Sequence, residues 1–347
     1  MSSSSIPRRR LGKSGLMVTV VGFGGIPIQI VSEEQAIATV RRCYDLGVNF
    51  FDTARGYSNS EERIGQALSG REAIIASKAS AGDAAAMYEA VCTSLGALQR
   101  DKIDLYQLHG VNDDADLERR TAPGGPLDGL RRARDEGKVD YLGITGHRAE
   151  TLIRAVEQCG DFVSVQVPFN VVESELTQTL LPRCAAKDVG VIAMKPVGGG
   201  NFTQAPLAIK WCINQPITVA IPGMASPAEA EEDVAVGIGD ITLTPEQLAA
   251  CERMKSELDK RTCRRCRYCE PCPQGVQIGM MLHGRSIIRR MGPARWKAWN
   301  AAETLASAEK CIECRECIAR CPYHLPIPDL LKEAMEHYRG FPELWEE

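Results

Sequence analysis

Eight of the chain's 14 cysteines fall into two tight runs. The first is Cys263, Cys266, Cys269 and Cys272, each separated by two residues and closed by Pro273. The second is Cys311, Cys314, Cys317 and Cys321, with three residues before the last, closed by Pro322. Thiolates at two-residue spacing let one short loop wrap a cubane, and a fourth before proline leads into a helix. A structural zinc site would instead show two cysteine pairs about a dozen or more residues apart. Disulfides are poorly served by such close spacing in a reducing compartment. The pattern predicts two 4Fe–4S clusters.

A second group is dispersed in sequence but regular in its setting. Asp52 follows the apolar run Val48–Phe51, Lys78 follows Ala73–Ser77, and His109 follows Ile103–Leu108. Tyr57 stands five residues after Asp52. Each alone has an ordinary structural explanation: a turn cap, a surface charge, a satisfied core histidine. Brought to one rim, they make a proton donor for a carbonyl. A tyrosine at its reference pKa of about 10 is a weak acid near neutrality. An ammonium beside it stabilises the phenolate and lowers that pKa. Asp52 would hold Lys78 charged and in place, and His109 would orient the substrate oxygen or share the proton.

Charge-free strands must supply that rim. Val18–Phe23, Val48–Phe51, Ala73–Ser77, Ile103–Leu108, Tyr141–Thr145, Val163–Val167, Val189–Met194 and Ile217–Ile221 read as strands buried on both faces. Helical patterns lie between them. The clearest opens with the capping box Ser32-Glu-Glu-Gln35 and stops at Gly47. Eight such units in about 250 residues predict an α/β fold, a (β/α)8 TIM barrel. An open dinucleotide-binding sheet would need Gly-x-Gly-x-x-Gly after its first strand, which Gly22-Phe-Gly24-Gly25 only loosely resembles.

The N-terminal motif Arg10-Leu-Gly-Lys-Ser-Gly-Leu16, followed by Val21-Gly-Phe-Gly-Gly25, resembles the opening of the aldo-keto reductases. The resemblance extends over roughly residues 8–258. It identifies Asp52, Tyr57, Lys78 and His109 with that family's catalytic tetrad, Tyr57 in the acid position. Val165-Gln-Val-Pro-Phe-Asn170 and Ile221-Pro-Gly223 are similar to later cofactor-side motifs. The resemblance implies an NAD(P)H site with Gly24, Thr145, Gln166, Met194, Pro222, Gly223, Glu232 and Asp233 as contacts. It also marks departures. Gly146 stands where the family's Asn grips the carboxamide, and Met194 where an aromatic stacks on the ring. Gly223 and Glu229 replace the basic pair that holds a 2′-phosphate, and a carboxylate there repels a phosphate. Gly198-Gly-Gly200 reads equally as a phosphate cradle or a flexible loop.

The tail differs in kind. Residues 1–259 carry a formal charge of −8 and residues 260–347 one of +4, out of −4 overall. This places the domain boundary at 259/260, the tail being a small α-helical ferredoxin-like domain. By analogy with two-cluster ferredoxins, the fourth cysteine of each run serves the other cluster. Cys263, Cys266, Cys269 and Cys321 would hold one, and Cys311, Cys314, Cys317 and Cys272 the other. Trp296 and Trp299, three apart on one helical face, read as core. The remaining cysteines (43, 92, 159, 184, 212 and 251) read as small buried hydrophobes.

The small net charge argues against nucleic-acid or membrane partners. No stretch approaches the roughly 18 apolar residues of a membrane span. Met1–Arg10 lacks the apolar core of a secretory leader, so a cytoplasmic protein is expected. The resulting expectation is an iron–sulfur oxidoreductase that reduces a small carbonyl or conjugated substrate, with a ferredoxin or other one-electron carrier as partner. The rivals are an electron-transfer protein whose barrel is a docking scaffold, a ferredoxin-fed reductase without nicotinamide, and clusters that are purely structural with no redox role.

Overall fold

The computed structural model describes residues 5–344. Residues 1–4, the start of the segment read above for a leader, and residues 345–347 lie outside the described residues. The chain divides into two compact units: Met1–Gly198 with Phe202–Leu248, and Gly199–Asn201 with Ala249–Glu347.

The first unit opens with a hairpin, β1 (Arg8–Arg10) antiparallel to β2 (Met17–Thr19). Eight strands follow: β3 (Phe23–Gly24), β4 (Phe50–Asp52), β5 (Ile74–Ala79), β6 (Ile103–Leu108), β7 (Val139–Thr145), β8 (Phe162–Pro168), β9 (Gly190–Met194) and β10 (Val219–Ile221). They pair in parallel and in sequence order. The seam between the first and last is closed by Gly22 N–H to Ala220 O and Gly24 N–H to Pro222 O, each 2.8 Å. This is the expected (β/α)8 barrel.

One expected strand is divided. Val18–Phe23 is not a single barrel strand: Val18 and Thr19 belong to the hairpin, and the barrel strand begins at Phe23. The hairpin plugs the barrel floor, where Leu11 and Val18 pack with Phe50, Ala76, Leu105, Val163, Ile192 and Val219. Burying each large aliphatic or aromatic side chain there contributes about 1.5–3 kcal/mol. Inward-facing positions recur every second residue along a strand. The layer above the apolar floor is therefore set two residues on: Phe50 gives way to Asp52, Ala76 to Lys78 and Leu105 to Gln107, all buried. Apolar floor and polar rim are written into the same strands.

The helix after β3, Glu33–Asp45, starts as its capping box predicts, with Ser32 Oγ accepting the Gln35 N–H at 3.2 Å. The reciprocal bond is replaced, because the Gln35 side chain donates to Ala225 O at 2.8 Å instead.

The second unit is helical, with Ile278–Met291, Pro293–Lys297, Ala301–Ala308, Glu316–Arg320 and Ile327–Tyr338 around its own core. Trp296 and Tyr338 centre that core, ring centroids 4.3 Å apart. Gly284 makes room for them, since a Cβ there would meet Trp296 Cζ2 at 2.5 Å. The expected common face of Trp296 and Trp299 does not form. The helix ends at Lys297 and the next begins after Asn300, φ +61°, leaving Trp299 between them and 43% exposed. Among the described residues no helix is long and apolar enough to cross a membrane. Of the six other cysteines, Cys43, Cys184, Cys212 and Cys251 are buried, Cys159 is half-buried, and Cys92 is exposed, contrary to expectation.

Candidate functional site

At the C-terminal end of β4 and within β5, Asp52 and Lys78 form a buried ion pair, Nζ to Oδ2 2.6 Å. Lys78 also donates to Thr53 O at 2.7 Å. Buried charges persist only when paired and hydrogen-bonded. Burial works to lower the Lys78 pKa, but Asp52 and Tyr57 outweigh it, and the net shift is upward. The side chain stays an ammonium. Its Nζ lies 5.1 Å from the centre of the Tyr57 ring. The Tyr57 and His109 rings meet edge to face, centroids 5.9 Å apart. Burial, then the Lys78 and Arg120 charges, push the His109 pKa down to about 3. Its imidazole is neutral near pH 7, able to donate or accept one hydrogen bond. The structure thus brings Asp52, Tyr57, Lys78 and His109 to one place.

Second-layer residues hold them there. The loop carrying Tyr57 is pinned by Thr53 Oγ1 to Ser60 Oγ at 2.9 Å and Ser60 Oγ to Gly25 O at 2.8 Å. Glu61, which sequence reasoning missed, is buried behind it, accepts Ser77 O–H at 2.5 Å and pairs with Arg55. The loop after β6 is fixed by Gly110 N–H to Thr145 Oγ1 at 2.9 Å and by Arg120 Nη1 to His109 O at 3.0 Å. Arg120 is also missed by sequence. One of two adjacent arginines in a helix of charged residues carries no signal until the helix is seen to bury it, 6% exposed.

The expected cofactor-side residues are spread over several settings. Gln166 joins the polar layer: its Nε2 donates to Asp52 Oδ2 at 3.3 Å and its Oε1 accepts from Gln107 at 2.9 Å. Thr145 serves the His109 loop. Gly24, Pro222 and Gly223 line the closing seam, with Gly24 bridged to Gly223. Met194 ends β9, half-buried. Glu232 is exposed, while Asp233 is buried near Cys43 of the helix Glu33–Asp45. Gly198, Gly199 and Gly200 all have positive φ.

Two departures from the family pattern have a steric basis. A Cβ on Gly146 would stand 2.2 Å from Val111 O, and one on Gly223 would stand 2.7 Å from Pro27 Cγ. The Val111 backbone crowds the first position and the Pro27 ring the second. Gln166 spends one N–H on Asp52, and Gly146 projects no side chain toward a carboxamide.

In the second unit the cysteines gather in two sets. Cys272, Cys311, Cys314 and Cys317 line one cavity together with Val276, Ile278 and Leu331. Cys263 lies close enough to Cys266 and Cys321 to feel both, although burial is what chiefly raises its pKa. Burial, then Cys263, Glu270 and Cys266, push the Cys269 thiol up to about 12. Arg264 stacks 4.0 Å over the Tyr323 ring, tying the first run to the segment after Cys321. Among the described residues no three His, Cys, Asp or Glu side chains converge as a single metal ion would require. Two groups of four cysteines, all sulfur donors, match the ligand type and number of two 4Fe–4S clusters.

The aldo/keto reductase family model matches residues 20–206, and a 4Fe-4S dicluster domain model matches residues 262–326. L-galactose dehydrogenase of Arabidopsis thaliana is 28% identical over 285 residues, 67% of this chain and 88% of the relative. The uncharacterized oxidoreductase YqkF of Bacillus subtilis (strain 168) is 30% identical over 216 residues, 58% of this chain and 68% of the relative. An aldo-keto reductase from Bacillus halodurans, solved in its holo form, superposes with a TM-score of 0.63 at 23% identity, covering 72% of this chain and 96% of that one. That likeness shows the fold. The protein therefore belongs to the aldo/keto reductase family, an oxidoreductase whose barrel is followed by a 4Fe-4S dicluster domain.

Proposed function

We propose that the protein reduces the carbonyl or conjugated double bond of a small molecule, with Tyr57 donating the proton and two 4Fe–4S clusters carrying electrons. The convergence of Tyr57, Lys78, Asp52 and His109 at the barrel rim carries this reading.

The reduction takes two electrons and two protons: Tyr57 gives its phenolic proton to the substrate oxygen or carbon as negative charge develops there, and the second proton comes from solvent. Lys78, held charged by Asp52, stabilises the phenolate left behind. Neutral His109 hydrogen-bonds the substrate oxygen and fixes its orientation. Buried Gln107 and Gln166 brace Asp52 and keep that layer of the barrel dry. Clusters bound by Cys263, Cys266, Cys269 and Cys321, and by Cys311, Cys314, Cys317 and Cys272, would pass electrons one at a time. The positive balance of the tail suits anionic clusters. Residues 1–259 form the reductase part of this reading and 260–347 the electron-carrying part.

Tyr57→Phe tests the proposal. Turnover on a panel of carbonyl and enone substrates falls by about 100-fold or more. Unchanged turnover would favour a barrel that is only a docking scaffold.

A second reading concerns the electron source. The close approach at Gly146 and Gly223, and the engagement of Gln166, favour a reductase fed by a ferredoxin or similar carrier over one fed by NAD(P)H. Calorimetric titration of anaerobically purified protein with NADH and NADPH decides between them. Tight binding of either sinks the carrier-fed version.

A further inference from the structure

Three strand ends contribute polar side chains that the proton chemistry leaves unused. Lys195 follows β9, His147 follows β7, and Asn112 lies in the loop after β6, three residues beyond His109. Lys195 Nζ is 3.0 Å from His147 Nε2. His147 Nδ1 is 3.3 Å from Asn112 Oδ1, which also accepts the His147 backbone N–H at 2.8 Å. An ammonium can only donate, so Nε2 is the acceptor and the ring proton sits on Nδ1, donating to Asn112. The imidazole is neutral, and the ammonium carries the whole charge of the pair.

The backbone beneath it is unusual. Lys195 has φ +58°, a left-handed conformation in which a lysine is strained. Its carbonyl is held by Asn170 Nδ2 at 3.2 Å and Gly198 N–H at 2.9 Å. Asn170 Nδ2 also donates to Glu173 Oε2 at 2.9 Å, so one buried amide serves both neighbours. Such strain persists where the surroundings over-determine it, commonly at ligand sites. The place agrees, because functional groups of these barrels gather at the C-terminal ends of the strands.

We propose that Lys195 and His147 receive the carboxylate of an acidic substrate, so that its reducible group lies toward His109 and Tyr57. The ammonium supplies one charge-assisted hydrogen bond to the carboxylate. The imidazole, buttressed by Asn112, fixes the direction of that ammonium. A single positive charge matches a monoanion better than a pyrophosphate, which calls for several cations or a row of backbone N–H groups. The link through Asn112 ties the anchor to the loop that carries His109, fixing the distance between anchor and reacting group. This inference rests on the reductase reading for its direction, but the anion site is testable without turnover.

The test uses the full-length, cluster-loaded protein kept oxidised, with histidine nitrogens labelled for NMR and His147 assigned from His147→Gln. Sodium butyrate and inorganic pyrophosphate are titrated separately. The expected result is a saturable shift of the His147 resonances with butyrate. Lys195→Asn, a residue that tolerates the left-handed backbone, weakens butyrate binding about tenfold or more, while Lys195→Arg retains it. No butyrate shift, or unchanged affinity in Lys195→Asn, overturns the proposal. A shift with pyrophosphate but not butyrate overturns the carboxylate assignment in favour of a cofactor phosphate. Where butyrate fails to bind while Tyr57→Phe still abolishes turnover, the anion site falls and the reductase reading stands. Where butyrate binds through Lys195 but Tyr57→Phe leaves turnover intact, the reverse holds.

Discussion

The backbone at Gly146 passes so near Val111 that a Cβ there would stand 2.2 Å from the Val111 carbonyl oxygen. Val111 lies two residues beyond His109, and its N–H is bound to Thr145 O at 2.8 Å. The missing side chain at residue 146 and the position of His109 are therefore one structural fact. Without a side chain at residue 146 the loop packs closely against the end of β7. Gly146→Asn is expected to displace that loop rather than restore a grip on nicotinamide. Overpacking of this kind costs about 1–3 kcal/mol. Urea unfolding should show that loss, and turnover should fall with no gain in NADH or NADPH affinity. A variant that binds nicotinamide tightly at unchanged stability would refute the steric account.

Removing one partner of the Asp52–Lys78 pair leaves the other charge buried alone. Lys78→Met should destabilise the barrel by about 3–5 kcal/mol. The double variant Asp52→Asn, Lys78→Met should recover much of that stability, because no uncompensated charge remains. Activity should be lost in both. Stability and turnover measured on the two variants separate the structural role of the pair from its proposed chemical one.

How much of this was legible in the sequence follows from what kind of signal each residue carries. Strand ends are marked by an abrupt change of residue type, so Asp52 and Lys78 stood out against Phe50–Phe51 and Ile74–Ser77. The cysteine runs are legible because their ligands are local in sequence. Lys195, His147 and Asn112 were not, since each is an ordinary polar loop residue until strands nearly fifty residues apart are laid side by side. Glu61 and Arg120 were missed for a related reason. A charged residue in a helix reads as solvated, and only packing reveals that these two are buried. The split of Val18–Phe23 was hidden as well. An apolar run tells of burial, not of where the chain leaves the floor plug and enters the barrel.

His109 provides a pH test. Its folded pKa of about 3 lies below the unfolded value of about 6.5, so the unfolded chain takes up a proton first as pH falls. The stability due to neutral His109 is complete above about pH 6.5 and is lost progressively down to about pH 3. Between pH 7 and pH 5 that amounts to about 2 kcal/mol. His109→Asn should remove this part of the dependence in urea unfolding at the two pH values. NMR of labelled histidine should show no titration of His109 between pH 8 and 5, and a midpoint near 6.5 would contradict the buried, cation-flanked setting.

Asp233 works in the opposite sense. Burial, then the Glu229 and Glu232 carboxylates, raise its pKa to about 7. The folded state holds the proton that the unfolded chain has released above about pH 3.9, so stability declines as pH rises from about 4 to about 7. Asp233→Asn should leave stability unchanged near pH 4 and raise it by about 2–4 kcal/mol at pH 8. Thermal or urea unfolding at both pH values checks the sign. A destabilised variant at pH 8 would mean instead that the ionised carboxylate makes a contact the fold needs, such as the cofactor contact expected from the family pattern.

The two cysteine runs make a last, independent prediction, because crossed ligation differs from simple ligation in which cluster each substitution damages. Cys272 lines the cavity formed by Cys311, Cys314 and Cys317, whereas Cys321 acts electrostatically on Cys263. Crossed ligation therefore requires Cys272→Ser to perturb the same cluster as Cys314→Ser. It requires Cys321→Ser to perturb the same cluster as Cys266→Ser. A cluster lost outright lowers the iron content by about four atoms, and a cluster retained with an oxygen ligand changes its reduced-state EPR signal and potential. Anaerobic redox titration followed by EPR on the four single variants should sort them into these two pairs. Simple ligation would pair Cys272→Ser with Cys266→Ser instead, and that grouping would require the two loops to pack differently from the arrangement found. Crossed ligation also has a mechanical consequence. Each cluster then binds cysteines from both ends of a stretch of 38 residues or more, so loss of either one should loosen the helices Ile278–Met291 and Ala301–Ala308 between them. Hydrogen exchange on the variants should show faster exchange in both helices, whichever cluster is removed.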